Sequence, residues 1–360
     1  MFGYLSVSDM SSVVLVCSDF AEIARANSTA LWRAQLLRRP WRAPLPRKSS
    51  RSLREYYRWK ASETARNWRE GRANFSCLWG HTGFVVSLHF DENVLATGST
   101  DQTIKIWDIH GTRKELATLT GHESIVYQVE LQKNGLLASC ASKSVRMWDI
   151  ETGINTISAP TAHAAYDLKT NGWGELMVAH HDGSFRHLDF RVPGFEVSRS
   201  VQHKEAAVCL VWDLDRYVIT GSVDKTCKVH DRRMNGTVAS FAKHRKAVTS
   251  IAWEGPGSAV VTGSLDKTVR LWNAQTGKAI RKLAGNQGHT ESVTAVMVHG
   301  RRLVTGSNDR TLRLWSTKGR LIQTWGGFSG DVFSLQFSQN LMVCGSVRTA
   351  NVWDFEALER

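Results

Sequence analysis

Short runs in which apolar and polar residues alternate dominate the chain from about residue 75 onward. Between Leu95 and Trp107 two such runs flank a turn, and Lys105 alternates with Ile104 and Ile106. A period of two is typical of half-buried β-strands. The same arrangement returns at 262–268 and 305–311. The pattern therefore predicts antiparallel strands, and no stretch there has the 3.6-residue period of a long amphipathic helix.

A repeat of about forty residues organises these strands. A His anchor recurs at intervals of 41, 41, 40, 41 and 45 residues, at His81, His122, His163, His203, His244 and His289. Phe328 stands at the seventh anchor position. Each anchor precedes two alternating runs that end in Trp-Asp or a related pair, at 107–108, 148–149, 188–189, 230–231, 272–273, 315–316 and 353–354. The chain thus contains seven repeats, numbered 1 to 7 below.

These anchors and Trp-Asp ends resemble the WD-repeat family. The resemblance implies an all-β, seven-bladed WD-repeat β-propeller over residues 75–360. Six residues follow Asp354, too few for an outer strand on the last blade. We therefore expect the segment from Phe75 to Trp79 to supply that strand and close the ring, which would leave no long open sheet edge.

The recurring His, Asp and Trp residues have two interpretations: metal ligands or acid–base groups, and structural hydrogen-bonding residues. The family resemblance implies the second, and it makes chemical sense because a buried indole N–H needs an acceptor. Repeats 1, 5 and 6 hold every part, and we expect the others to depend more on apolar packing. The predicted blade network comprises His81, Asp101, Trp107, His122, Trp148, His163, Asp182, His203, Asp224, His244, Asp266, Trp272, His289, Asp309, Trp315 and Trp353.

Residues 1–37 have helix-like spacing and N-cap residues before each of three short segments. The text from Phe2 to Met10, with Leu15-Val16-Cys17, Phe20 and Leu31-Trp32-Arg33, resembles the later two-thirds of an F-box. The opening helix of that motif would precede Met1. The resemblance implies binding to the adaptor of an SCF-type cullin–RING ubiquitin ligase. It places Phe2, Leu5, Met10, Val16, Cys17, Phe20, Leu31 and Trp32 at the adaptor contact.

Residues 38–74 carry most of the chain's net charge. Residues 33–72 hold 13 Lys or Arg and 3 Asp or Glu, which is +10 of the total +13. Three prolines predict a loop over 38–50, and Ser52 to Glu55 resembles a capping box that opens a helix ending near Gly71. We interpret this helix as a linker with a solvated basic face. A nucleic-acid site is the alternative, but no aromatic platform or DNA-reading motif accompanies the charge.

The remaining composition excludes several classes. The longest apolar run near the N-terminus, from Val13 to Cys17, is far shorter than the roughly 20 residues of a membrane helix. The six cysteines are scattered singly, which favours reduced thiols in the cytoplasm or nucleus. We predict no cofactor and no metal, and no nucleophile elbow, P-loop or zinc-protease motif indicates an enzyme.

The sequence therefore predicts a non-catalytic substrate receptor of an SCF-type ligase, whose partners are the adaptor and a protein substrate. A WD-repeat scaffold without a ubiquitin role is the alternative, and a hydrolase is a third hypothesis. The substrate is expected at the loops after each anchor and the turns at each Asp. Basic side chains there could hold a phosphorylated substrate, although Lys is also ordinary turn composition. The candidate contacts are Phe84, Ile125, Tyr166, Lys204, Lys225, Arg245, Lys246, Lys267, Arg310, Asp331 and Arg348, with Lys143 adding charge.

Overall fold

The computed structural model describes residues 53–356, apart from residues 110, 133–134, 235, 301 and 317. The predicted F-box residues and the basic loop through residue 52 lie outside the described residues. Those described form two compact units, one of residues 53–74 with 354–356 and one of residues 75–353. Within them, no helix has the length and apolar content needed to cross a membrane.

The first unit contains helix α1, Leu53–Glu70, at the place where the sequence predicts a helix ending near Gly71. Lys60, Thr64 and Trp68 form a buried stripe at four-residue spacing. The Trp68 ring stacks on Phe355 with centroids 4.0 Å apart, and the Lys60 Nζ lies 2.5 Å from the Glu356 Oε1. The basic face of this helix was expected to be solvated, and Lys60 belongs to that face. Lys60 is instead buried because Glu356 neutralises its charge.

The described chain contains 27 strands. In chain order they are β1 Asn74–Phe90, β2 Val94–Ser99, β3 Ile104–Asp108, β4 Glu115–Leu119, β5 Gln128–Leu131, β6 Leu136–Ala141, β7 Ser144–Asp149, β8 Asn155–Pro160, β9 Ala165–Thr170, β10 Glu175–His180, β11 Ser184–Asp189, β12 Glu196–Val201, β13 Ala207–Trp212, β14 Tyr217–Ser222, β15 Cys227–Asp231, β16 Gly236–Phe241, β17 Val248–Ala252, β18 Ala259–Ser264, β19 Val269–Asn273, β20 Ala279–Leu283, β21 Val293–His299, β22 Arg302–Ser307, β23 Leu312–Ser316, β24 Leu321–Trp325, β25 Ser334–Phe337, β26 Leu341–Gly345 and β27 Val347–Asp354.

The strands form antiparallel sheets that follow the sequence repeats. Repeats 2 to 6 each make one four-stranded sheet, from β5–β8 to β21–β24. The strands of repeats 7 and 1 form one seven-stranded sheet in the order β25-β26-β27-β1-β2-β3-β4. The all-β WD-repeat prediction is confirmed at this level, with four-stranded sheets, one α-helix and a short 3-10 helix at Gly285–Gln287 in the described residues.

Strand β1 belongs to two groups of four strands. Its second half pairs with β2, from Val85 opposite Ser99 to Phe90 opposite Leu95. On its other side β1 neighbours β27, where the Cys77 thiol donates to the Asn351 Oδ1 at 3.1 Å. This pairing agrees with the expectation that residues 75–79 supply a strand to the last repeat.

Hydrogen bonds between the first strands of neighbouring repeats connect the sheets in sequence. Each involves a side chain of one repeat and a partner group in the next. The joined pairs are Gln336 with Phe90 (repeats 7 and 1), His89 with Leu131 (1 and 2), Gln128 with Asp167 (2 and 3), Asp167 with Leu210 (3 and 4), Cys209 with Val248 (4 and 5), Ser250 with Val296 (5 and 6) and Met297 with Phe337 (6 and 7). The second unit is therefore tied from repeat to repeat, including last to first.

The core lies between facing sheets. One cluster joins Leu78 and Leu88 of β1 to Leu95 and Trp107 of repeat 1 and to Val343 of repeat 7. Comparable clusters fill the spaces between later repeats. The alternating pattern of the sequence thus places its apolar face against the next sheet.

The pairing of β1 with the last repeat can be tested at two adjacent positions. Leu78 is 4% exposed in the core between repeats 7 and 1, whereas Trp79 points outward and is 67% exposed. Leu78→Ala should lower the free energy of unfolding by about 2–4 kcal/mol because it removes buried methyl groups. Trp79→Ala should change it by less than about 0.5 kcal/mol. Urea unfolding measures both, and equal losses would contradict the described pairing.

Candidate functional site

In repeat 1 a chain of hydrogen bonds joins the loop His to three strands and a turn. The His81 Nδ1 lies 2.8 Å from the Asp101 Oδ2, and its Nε2 lies 2.8 Å from the Thr97 Oγ1. The Trp107 indole donates to the same Thr97 oxygen at 2.8 Å. Asp101 also accepts from Thr103 and from the backbone N–H of residue 82. Each polar group of this hydrogen-bonded network therefore has a partner within the network.

Repeats 5 and 6 reproduce this geometry with His–Asp, His–Thr and Trp–Thr distances between 2.7 and 2.9 Å. The residues are His244, Asp266, Thr262 and Trp272 in repeat 5, and His289, Asp309, Thr305 and Trp315 in repeat 6. Repeat 4 keeps the first part, with His203 at 3.0 Å from Asp224 and 2.9 Å from Thr220. His230 replaces its Trp and lies near Gln202 instead.

Repeats 2, 3 and 7 do not form the complete hydrogen-bonded network of repeat 1. In repeat 2, His122 and Trp148 both bond the Ser139 hydroxyl, at 2.7 and 2.8 Å, without an Asp. In repeat 3 the His163 side chain is 46% exposed and lies 3.6 Å from Asp182, outside hydrogen-bond distance. In repeat 7, Trp353 packs against Phe75 and Phe328 with ring centroids 5.2 and 5.6 Å away. In these three repeats, the residues that were predicted to form the same network thus contact different sets of neighbours.

The pKa shifts of the Asp and His side chains in these networks are consistent with a structural role. Burial alone would raise the pKa of the Asp101 carboxyl, but hydrogen bonds from Thr103 and His81 hold it well below its usual range. The same balance lowers the pKa of Asp266 and Asp309. Burial lowers the pKa of His81, which favours the neutral imidazole. Each carboxylate is occupied by local donors.

The described residues of the second unit hold neither an activated cysteine nor a cluster of side chains able to bind a metal ion. The free thiols of Cys140, Cys209 and Cys227 are buried, and burial raises their pKa well above the ordinary value, so they are not activated nucleophiles. Among residues 53–356, apart from the undescribed positions, no three His, Cys, Asp or Glu side chains are grouped to hold a metal ion.

The loop after each anchor and the turn at each Asp lie together at the same end of the strands of their sheet. This end of the strands is called here the loop edge. The backbone N–H groups of Thr82, Lys204, Arg245 and Thr290 donate to the turn carboxylates at 2.9 to 3.2 Å. In the antiparallel sheets the turns between first and second strands, and between third and fourth strands, lie at the opposite edge. The hydrogen-bonding network therefore fixes the backbone of the loop edge.

Four predicted basic contacts have left-handed backbone at the same position of their repeats, three in the turn between the second and third strands and Arg348 near the start of β27. Lys225, Lys267, Arg310 and Arg348 have φ angles of 72, 68, 60 and 61°, and all are exposed. Gly183 holds the matching place in repeat 3 with φ of 79°. A long side chain is therefore presented to solvent where backbone geometry alone would favour glycine.

The other predicted contacts differ in depth. Phe84 is 45% exposed and stacks on Phe333 with centroids 5.3 Å apart. Lys204, Arg245 and Lys246 are exposed, while Ile125, Tyr166 and Asp331 are half-buried.

Tyr166 lies deeper than its predicted place. The N–H of His181 donates to Ala164 as that of Thr100 donates to Phe84, so Ala164 is the equivalent of Phe84. The loop of repeat 3 is two residues shorter from its anchor, which moves Tyr166 to the first-strand position held by Tyr127 in repeat 2.

A cavity of about 410 Å³ opens between the first strands of all seven repeats. One residue from each repeat lines it at the same position, namely Val86, Tyr127, Tyr166, Val208, Thr249, Thr294 and Phe333. Sequence reasoning missed Tyr127 and Phe333, although both follow their anchor by five residues. Asp167 and Lys169 also line the cavity, and Lys169 lies 3.5 Å from Glu130.

Repeat 2 generates a pH prediction. Burial, with the Arg146 charge second, lowers the pKa of His122 from 6.5 to about 4. The folded state thus binds fewer protons than the unfolded state between pH 6.5 and 4, so stability is present above this window and is lost as pH falls through it. His122 should cost on the order of 2 kcal/mol between pH 7 and pH 5. Urea unfolding of His122→Gln at both pH values should show a correspondingly smaller loss, and an unchanged loss would contradict the assignment.

Comparison with known proteins gives a family match over more than half of the chain. The model of the WD40 family (WD domain, G-beta repeat) matches residues 74–108, 113–149, 196–231, 235–273 and 277–316. Among solved structures, the crystal structure of the computationally designed Ika8 protein is similar with a TM-score of 0.62 and 26% identity. That match covers 77% of this chain and 98% of the designed chain.

Curated relatives match over smaller parts. Mitogen-activated protein kinase kinase kinase A of Dictyostelium discoideum is 27% identical over 243 residues, 65% of this chain and 21% of that protein. "Probable E3 ubiquitin ligase complex SCF subunit sconB" of Arthroderma otae is 45% identical over 75 residues, 19% of this chain and 11% of that protein. The same-named protein of Talaromyces stipitatus is 52% identical over 52 residues, 14% of this chain and 8% of that protein. The chain spans about a fifth or less of the length of these relatives, and the repeats matched by the family model establish that it belongs to the WD40 repeat family.

Proposed function

We propose that this protein is the substrate-recognition subunit of an SCF-type cullin–RING ubiquitin ligase. The observation that carries the proposal is the match of its repeats to relatives named as SCF ligase subunits, at 45% and 52% identity. The F-box-like pattern in residues 1–37 supports the same assignment. The proposed site of action is the cytoplasm or nucleus, in keeping with the free thiols of the five cysteines that the structure describes.

The proposal includes a closed, seven-bladed propeller as the substrate-binding part. Strand β1 lies between β27 and β2, and hydrogen bonds connect each repeat to the next. One cavity is lined from all seven repeats. These three observations support a ring in which the loop edge of every blade faces the same side.

The division of labour follows from the two parts. Phe2, Leu5, Met10, Val16, Cys17, Phe20, Leu31 and Trp32 bind the ligase adaptor, and the loop edge binds a protein substrate. The candidate substrate contacts remain those named from the sequence, and the proposal adds Tyr127 and Phe333 because both line the cavity. Such a subunit is not a catalyst. It raises the effective concentration of a substrate lysine near the ubiquitin-carrying enzyme.

A second candidate is a WD-repeat scaffold that acts without ubiquitin. It is favoured by the broadest of the curated matches reported above, which covers 65% of this chain and belongs to a protein named as a kinase. The shorter ligase matches cover 19% and 14% of the chain. WD repeats are therefore expected for both candidate functions, and binding to the ligase adaptor distinguishes the ligase subunit from the scaffold.

Adaptor binding is the direct test. The purified full chain should bind purified SCF adaptor in a pull-down, and Leu5→Ala, Phe20→Ala and Trp32→Ala together should lower the affinity at least about 10-fold, since they truncate apolar contacts. Trp173→Ala is the control, because Trp173 is 73% exposed on a turn of the propeller region. Failure of the unmodified chain to bind adaptor would contradict the ligase role and leave the scaffold.

A further inference from the structure

The loop edge, taken together with the first-strand cavity positions, has an aromatic half and a basic half, although Lys143 of repeat 2 adds one exposed basic side chain to the aromatic half. Repeats 7 and 1 contribute one pair of contacting aromatic rings, and repeats 2 and 3 contribute a separate group of three. Phe84 stacks on Phe333 at 5.3 Å, Tyr127 and Tyr166 meet edge to face at 5.0 Å, and Tyr166 lies 6.0 Å from His181. We call these five residues the aromatic half.

Repeats 4, 5 and 6 carry small residues at the cavity positions, Val208, Thr249 and Thr294. Repeat 1 also has a small residue there, Val86, and its ring, Phe84, lies two residues earlier. At the loop edge of repeats 4, 5 and 6, positive charge replaces the aromatic rings and continues into the turn of repeat 7. The exposed basic side chains of this basic half are Lys204, Lys225, Arg245, Lys246, Lys267, Arg310 and Arg348.

The basic half has little compensating charge. In its described loops and turns, the exposed acidic residues are Glu205 and Glu291. Glu291 holds Lys267, with the Nζ 3.0 Å from the Oε1. The turn carboxylates Asp224, Asp266 and Asp309 are occupied by their His and Thr partners. The half therefore has an excess of positive charge directed to solvent.

The distribution of the charges over separate repeats points to an extended ligand. Each basic turn contributes one side chain from a separate repeat, and each has a backbone fixed at positive φ. A single phosphate is held best by several donors that converge on it, as in a bidentate Arg contact. The seven basic side chains are distributed over four repeats, an arrangement that is complementary to several carboxylates along a peptide.

We propose that the loop edge binds an unphosphorylated acidic peptide segment whose apolar end lies on the aromatic half. The carboxylates of the segment lie along the basic half, and its apolar side chains contact Phe84, Tyr127 and Tyr166. This inference rests on the proposed function, because it names the class of segment by which a substrate is captured. It replaces the phosphorylated substrate considered in the sequence analysis with a peptide whose carboxylates contact several basic side chains.

The probe is a fluorescent peptide of about 14 residues, ~45 Å when extended, with Phe and Leu at one end and Glu at the other. Three further peptides serve as comparisons: the acidic end alone, the apolar end alone, and a version with one phosphoserine among uncharged residues. Fluorescence anisotropy with the full chain measures affinity. The complete probe should bind at least about 10-fold more tightly than either end alone. Its affinity should fall as salt rises from about 50 to 300 mM.

Charge reversal tests the basic half. Lys225→Glu, Arg245→Glu and Arg310→Glu together should weaken the complete probe by at least about 10-fold. The matched control reverses Lys278, Lys318 and Arg320, which are exposed at the opposite edge of repeats 5 and 6, and should leave affinity within about 2-fold. Equal weakening by the two triple variants would overturn the proposal, because it would show non-specific attraction.

Truncation tests the aromatic half. Phe84→Ala and Tyr127→Ala should each weaken the complete probe at least about 10-fold but leave binding of the acidic end alone unchanged. Trp173→Ala removes an exposed ring at the opposite edge and should have no effect. Thermal unfolding of each variant checks that it folds, and the charge-reversal triple tests the proposal independently if one of them does not.

Two results would overturn the inference outright: tighter binding of the phosphoserine peptide than of the complete probe, or no binding of the complete probe. These results are distinguishable from failure of the proposed function. Peptide affinity is measured without adaptor, whereas the ligase role is tested by adaptor binding, so each can fail while the other stands.

Discussion

The structure depends on one strand that pairs on both sides. β1 hydrogen-bonds with β27 of the last repeat and with β2 of the first, so the two ends of the repeat region are joined in one sheet. Without that pairing, repeat 7 would present β27 as an open edge. The apolar core around Leu78 and Val343 would be exposed on the same side. Stability in this region is therefore a property of both ends together.

Polar networks stabilise some sheets and other interactions replace them elsewhere. Repeats 1, 5 and 6 use His, Asp, Thr and Trp, as expected from the sequence. Repeat 4 retains its His–Asp–Thr hydrogen bonds but has His230 in place of the indole, and the expectation that it depends more on apolar packing stays a prediction. In repeat 3, Arg186 bonds Glu196 and Arg199 bonds Asp182, so an ionic network takes the place of the indole. Repeat 7 uses aromatic contacts around Trp353.

The sequence predicted the strands and the repeat count well because period-two alternation and fixed anchor spacing are local signals. It predicted the loop edge for the same reason. It missed Tyr127 and Phe333 because their common position depends on strand register and on how seven first strands surround one cavity. Tyr166 was misplaced since a shorter loop shifts the register of repeat 3. The burial of Lys60 depends on Glu356, nearly 300 residues away, which no local pattern records.

The most direct measurement of the central claim is native-state amide hydrogen exchange across β1. If residues 75–80 form a strand of the last repeat, their hydrogen-bonded amides should exchange with the same free energy of opening as those of β2, because both report unfolding of the shared sheet. Exchange of residues 75–80 at the rate of a frayed terminus, with β2 still protected, would contradict the account.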